Sequence, residues 1–224
     1  MQDRADVRWP ASILALLTLV VLLATPLLIY VRPGFAALQY RQSRFPAAER
    51  FADSERVRLS NALIDYLRHR VTDDELAALR TDAGAAALNA AELNHMADVQ
   101  RVMDGFFWAE GVAAVVSISI AAWLLRTGGW QALVRGLRHG VLLTAALIGV
   151  ILLSVALDFE RFFTVFHGLF FQSGTWVFDY RDTLIQLYPL PFWVNAVVGY
   201  VITMLFMAAL LWGLTMLIKR RSRV

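Results

Sequence analysis

The sequence predicts an all-α membrane protein with four transmembrane helices, and three observations carry that reading. Of 224 residues, 58% are hydrophobic and 17% charged, with a mean hydropathy of +0.56 that water-soluble domains rarely reach. Four stretches carry almost no charge over the roughly 20 residues that a helix needs to cross about 30 Å of hydrocarbon. Trp9, Tyr30, Trp108, Trp123, Trp130, Trp176, Tyr188 and Trp193 fall near the ends of those stretches. Amphipathic rings prefer the headgroup layer, so all eight read as interface anchors.

The chain reads as a single integral membrane domain over 1–224, with spans at about 10–31, 106–125, 139–157 and 192–218. The first run is too long for a cleaved signal peptide, and no small-x-small site follows Pro26, so it is expected to remain as an anchor. The external loop 32–105 repeats apolar residues at helical spacing, as in Val57, Asn61, Ile64 and Leu67 with Leu63 alongside, which predicts two or three short amphipathic helices. Within it, Thr72-Asp73-Asp74-Glu75 has the form of a capping box and fixes a helix start at Thr72. Gly84 and Asn89 loosen the chain before a helical run from Ala90 to Met103 that leads into the second span. The loop 158–191 contains the uncharged run Phe162 to Phe178, broken by Gly168 and Gly174, which predicts a re-entrant or interfacial segment ended by Pro189 and Pro191.

Four spans place both termini on the side of the loop Arg126 to Arg138. That side holds Arg4, Arg8, Arg126, Arg135, Arg138, Lys219, Arg220, Arg221 and Arg223 against Asp3 and Asp6, so it is expected to face the cytoplasm. Absence of Cys removes thiol nucleophiles, disulfides and Cys-based metal sites. No P-loop, dinucleotide fingerprint, H-E-x-x-H or G-x-S-x-G elbow occurs, and no basic stripe suggests a nucleic-acid partner.

Topology separates the four histidines. His139 lies beside Arg135 and Arg138 at the cytoplasmic side and reads as a headgroup residue; His69 follows Asp65 by one helical turn and reads as its surface partner. His95 and His167 differ, because both belong to the outer face and sit in apolar sequence near a span. Glu92 and Asp98 lie one turn either side of His95, where a carboxylate can fix its tautomer. His167, between Phe166 and Gly168 in the uncharged run, needs a polar partner or a task. Glu110, Asp158, Glu160, Ser173 and Thr175 are further polar groups near the same leaflet.

Several segments then resemble a known family. E-L-N-H-M-A-D-V from Glu92, F-H-G-L-F-F from Phe166, W-V-F from Trp176, L-I-Q-L-Y-P from Leu184, R-F-P-A-A-E-R from Arg44 and the L-I-D-Y-L run are similar to the lipoprotein intramolecular transacylase (Lit) family, over nearly the whole chain. The resemblance implies a small four-span bacterial enzyme with His95 and His167 as the essential pair. It implies acyl transfer within a diacylated lipoprotein, from the sn-2 ester of the diacylglyceryl-Cys to the α-amine of that residue, leaving the lyso-form.

The residues agree with that chemistry. Turning an ester into an amide is downhill, so no nucleotide, metal or other cofactor is expected. An ammonium of pKa about 7.7–8 must lose a proton and a leaving alkoxide must gain one, and histidine serves both steps. His95 is the expected base because Glu92 or Asp98 can orient it, with Glu110 and Ser173 as supporting candidates; an acyl-histidine intermediate is the other route. The site should open to the extracytoplasmic leaflet, with the lipoprotein substrate and membrane lipids as partners. The competing readings are a metal-dependent membrane hydrolase and a non-catalytic assembly or transport subunit.

Overall fold

A computed structural model describes residues 8–42 and 45–221; Asp3, Arg4, Asp6, Arg44 and Arg223 lie outside it, as do the side chains of Arg8, Arg220 and Arg221. The described residues form helices joined by turns and irregular segments, without a strand: α1 (Arg8–Ala24), α2 (Leu27–Tyr30), α3 (Phe35–Tyr40), α4 (Asp53–Leu67), α5 (Asp73–Ala77), α6 (Ala90–Arg126), α7 (Trp130–Leu157), α8 (Phe159–Phe170), α9 (Thr183–Leu187) and α10 (Leu190–Arg221). Four segments are long and apolar enough to cross a membrane, at Trp9–Tyr30 and within α6, α7 and α10. The protein is therefore an all-α, multi-pass membrane protein.

Two compact units divide the chain. The first comprises residues 1–27, 106–159 and 200–224. In it α7 packs along α1 at very short range. A Cβ on Gly136 would lie 2.8 Å from the Ala11 carbonyl, and one on Gly140 would lie 2.4 Å from the Thr18 Cβ and 2.8 Å from the Ala15 carbonyl. Glycines four residues apart form the small-residue groove that lets two membrane helices bring their backbones together. The sequence reading overlooked this spacing. It also placed a loop from Arg126 to Arg138, whereas α7 is already helical at Trp130, so Arg135 and Arg138 project from a helix. Pro26 interrupts the first span between α1 and α2 because it lacks an N–H and restricts Thr25 before it.

The second unit comprises residues 28–105 and 160–199. Its core gathers Phe51, Leu59, Leu63, Tyr66, Leu76, Met96, Leu184 and Leu187. The buried stripe of α4 is Glu55, Arg56, Leu59, Ser60, Leu63 and Tyr66, while Val57, Asn61, Ile64 and Leu67 are only half-buried, which corrects the face read from hydropathy. Hydropathy misplaces it because Arg56 is buried with both terminal nitrogens of its guanidinium hydrogen-bonded. Its guanidinium donates to the carbonyls of Pro46 at 3.0 Å and Gln186 at 3.2 Å and lies 4.2 Å from the Tyr40 ring centre. The capping box at Thr72 forms as expected, with Glu75 N–H donating to the Thr72 hydroxyl and the Thr72 N–H to the Glu75 carboxylate.

Asn89 does not loosen the chain. It caps α6: its side-chain oxygen accepts from the Glu92 N–H at 3.0 Å, and its own N–H donates to the Glu92 carboxylate at 2.9 Å. From that cap α6 continues for 37 residues, about 55 Å, so its polar first third extends beyond the length a membrane crossing requires. Gly168 lies inside α8 rather than breaking it, whereas Gly174 takes a positive φ of 86° in the turn that follows. No residue of α8 is buried, and Val165, Phe166, Leu169 and Phe170 are exposed, as an interfacial helix requires.

Candidate active site

His95 and His167 meet in the second unit. His95 projects from α6 one turn beyond the capped end, and His167 from the last turns of α8. Both rings pack on Phe171, with centroid distances of 5.1 Å for His95 and 5.7 Å for His167. Phe178 closes on His95 at 5.3 Å, while Phe163 and Trp176 pack against His167 at 3.9 and 4.8 Å and against each other at 5.7 Å. Two imidazoles distant in sequence therefore share one aromatic cage.

The cage sets their protonation. Burial lowers the proton affinity of both rings below that of a free histidine. For His95 the facing His167 lowers it further, and Asp98 opposes the shift; for His167 the opposing influence is a backbone carbonyl. That carbonyl is Phe163 O, 2.8 Å from His167 Nδ1. A carbonyl only accepts, so Nδ1 carries the proton and Nε2 of the neutral ring keeps its lone pair. His95 Nδ1 is buried with no hydrogen-bond partner. Orphaned buried N–H groups are rare, which favours a bare Nδ1 and an Nε2–H donor on His95. The indole N–H of Trp176 is likewise buried without a partner. The sequence predicts an interface anchor at Trp176; the structure packs it against His167.

The carboxylates expected to orient His95 are spent elsewhere. Glu92 is 1% exposed, and besides capping α6 it accepts from the Leu184 N–H of α9 at 2.8 Å. Burial raises its proton affinity, and the backbone N–H donors of Asn89 and Leu184 partly offset this. Its role is to lock α9, a helix the sequence reading missed, to the base of the histidine-bearing turn. Asp98 pairs with Arg101 one turn on. These two, with Val102, Phe170, Phe171 and Gln172, line a cavity of about 320 Å³.

The other candidates do not join the cage. Glu110 belongs to the first unit, where the Thr25 hydroxyl donates to it at 2.6 Å. Ser173 is exposed in the turn after α8, and Thr175 donates to the Gln172 carbonyl at 3.0 Å. His69 is exposed and pairs with Asp104 at 2.8 Å rather than with Asp65, whose partner is Arg70. Its positive φ of 56° takes it off the α4 helix and away from the i+4 geometry that the sequence spacing assumed. Among the described residues no group of three or more His, Cys, Asp or Glu side chains is placed to hold a metal ion.

Comparison with known proteins gives a consistent picture. The family model for lipoprotein intramolecular transacylase Lit matches residues 11–193. An uncharacterized protein of Aquifex aeolicus (strain VF5) is 27% identical over 173 residues, covering 72% of each chain. The in meso structure of the membrane integral lipoprotein intramolecular transacylase Lit from Bacillus cereus is similar, with a TM-score of 0.78 at 18% identity over 99% of both chains. A structure of the same Bacillus cereus protein carrying a histidine-to-arginine mutation has a TM-score of 0.73 at 17% identity, over 98% of this chain and 94% of that one. At such identities the structural likeness establishes the fold.

Proposed function

Since this chain belongs to the Lit family of lipoprotein intramolecular transacylases and is a membrane acyltransferase, we propose that His95 and His167 together move the sn-2 acyl chain of a diacylglyceryl-Cys lipoprotein to its own α-amine. The observation that carries this reading is the shared packing of both imidazoles on Phe171. Histidine is the side chain that both takes and gives protons near neutral pH.

The proton inventory follows from the two tautomers. The α-ammonium first releases one proton to solvent, as its pKa of about 7.7–8 permits. The amine nitrogen then attacks the ester carbonyl carbon. As the C–N bond forms, the nitrogen gives one of its two remaining protons to Nε2 of His167, the atom left with a lone pair by the Phe163 contact. This reverses the base assigned from sequence, because neither Glu92 nor Asp98 is available to orient His95. As the glyceryl C–O bond breaks, its oxygen takes the proton of His95 Nε2. Charge gained by His167 lowers the proton affinity of His95, so the first transfer prepares the second. A proton passing from His167 to His95 restores the pair, and no other reactant is consumed.

Donor and acceptor reside on one molecule, so holding them in attack geometry supplies part of the roughly 7–11 kcal/mol available to well-oriented intramolecular systems. The Trp176 N–H, buried and unspent beside His167, is the donor this reading assigns to the oxyanion of the tetrahedral intermediate. Both termini face the cytoplasm in this reading, and the cage opens toward the outer leaflet, where the lipoprotein resides.

Mass spectrometry of lipoprotein N-terminal peptides, from cells with and without the protein, tests the proposal. The wild type should yield the N-acyl, mono-O-acyl form. His95→Ala and His167→Ala should each lower conversion by at least about 10²-fold, the usual worth of a positioned acid or base, at unchanged membrane abundance. Conversion by His167→Ala at near the wild-type rate would end the assignment.

A further inference from the structure

The cavity of about 320 Å³ beside the histidine cage takes Asp98, Arg101 and Val102 from α6, Phe170 from the end of α8, and Phe171 and Gln172 from the segment that follows. Phe171 is also the ring on which both imidazoles pack, so one side chain belongs to the cavity and to the reacting pair alike. His95, Asp98 and Val102 fall at i, i+3 and i+7, the spacing of one helix face, with Arg101 next to Val102. The cavity wall therefore continues the face that carries His95, over about 10 Å of helix. From Val102 α6 runs on into its apolar two-thirds. The cavity lies where that helix changes from polar to apolar, the level at which lipid esters meet hydrocarbon.

The polar part of the lining is an ion pair. A terminal nitrogen of the Arg101 guanidinium donates to the Asp98 carboxylate; the Asp98 side chain is 24% exposed and that of Arg101 75%. The pair is neutral overall, so it has no net charge with which to draw a phosphate or a carboxylate. It does have donors. A guanidinium carries five N–H groups and accepts nothing, and the bond to Asp98 uses one terminal nitrogen. The matching ligand is neutral, offers acceptors alone, and carries an apolar stem to lie against Val102, Phe170 and Phe171. An ester with its acyl chain has that composition. A peptide fits less well, because its N–H groups need acceptors and the single carboxylate of the lining already serves Arg101.

We infer that this cavity receives the ester that stays on the substrate, with Arg101 donating to its carbonyl oxygen and the first methylenes of its acyl chain lying against Val102 and Phe170. The inference rests on the acyl-transfer reading and deepens it. The two esters of a diacylglyceryl group occupy neighbouring carbons, so a carbonyl held at Arg101 brings the other one to the imidazoles. Arg101 is thereby a positioning residue that selects which of two chemically similar esters is transferred, and Asp98 keeps its guanidinium in place.

Two synthetic diacylglyceryl-Cys peptides test this with the full-length protein in mild detergent. One carries both esters; in the other an ether replaces the sn-1 ester, which removes the carbonyl and keeps the chain. The wild type should convert the diester with a kcat/KM at least about tenfold above that for the ether, the worth of one hydrogen bond to a charged group. Arg101→Met keeps an apolar stem without donors, and it should convert both peptides at the slower, ether-like rate. Its unfolding temperature should stay near that of the wild type, because the side chain is largely exposed. A merely structural Arg101 would slow both peptides alike and leave their ratio intact. Equal conversion of the two peptides by the wild type, which needs no variant to measure, or an unchanged ratio in Arg101→Met would each overturn the inference. Failure of the wild type to N-acylate either peptide would instead remove the acyl-transfer reading, and this inference with it.

Discussion

At the residue scale, the cage around His167 assigns each atom a distinct duty. Phe163 O fixes Nδ1–H, the rings of Phe163 and Trp176 pack against the imidazole, and the indole N–H of Trp176 is left buried and unpaired. Trp176→Phe keeps an aromatic ring against His167 and deletes the N–H donor. Its kcat should fall by about 10²–10³-fold, the cost of removing one oxyanion donor, while its unfolding temperature stays near that of the wild type. A fall in both together would show the indole to be a packing residue. Protonation gives a second test. Burial depresses the proton affinity of His95 and His167 in the folded protein, so both rings stay neutral as pH falls through 6.5. The stability tied to that neutrality is present above pH 6.5. It is lost below, where the unfolded chain binds protons first. Histidine NMR of labelled protein in detergent should show both rings titrating with midpoints under 6.5; a midpoint above it for either ring contradicts the burial argument.

At the element scale, two helices hold their places through contacts that only close packing explains. α6 begins at Asn89 because Glu92 completes a reciprocal cap there, and the second oxygen of that carboxylate anchors α9. α7 lies on α1 because Gly136 and Gly140 leave no side chain between the backbones. Gly140→Ala places a Cβ 2.4 Å from the Cβ of Thr18 and should destabilise the protein by about 1–3 kcal/mol, the usual cost of overpacking. Gly149→Ala, on the same helix with nothing within 4 Å of the added carbon, is the internal control. It should be neutral or stabilising by up to about 1 kcal/mol through helix propensity. Equal unfolding temperatures for the two variants would remove the groove as the reason for the α1–α7 contact.

For the molecule as a whole, the absence of Cys makes orientation directly measurable. A single Ala85→Cys substitution in the loop between α5 and α6 should react with an impermeant maleimide in intact cells. Thr127→Cys, between α6 and α7, should react only after permeabilisation. The reverse pattern would invert the orientation drawn from the arginine distribution. Spans, the Thr72 capping box and the amphipathic outer segment were legible in the sequence because each depends on residues within a few turns of one another, which hydropathy and spacing record. The two histidines were singled out for a local reason as well, an ionisable ring in apolar surroundings. Their chemistry was not local. Where Glu92 directs its second oxygen, why Arg56 is buried and which rings close on His95 were decided by tertiary structure. Each of these turns on partners brought together by folding, whose hydrogen bonds and desolvation leave no trace in sequence spacing.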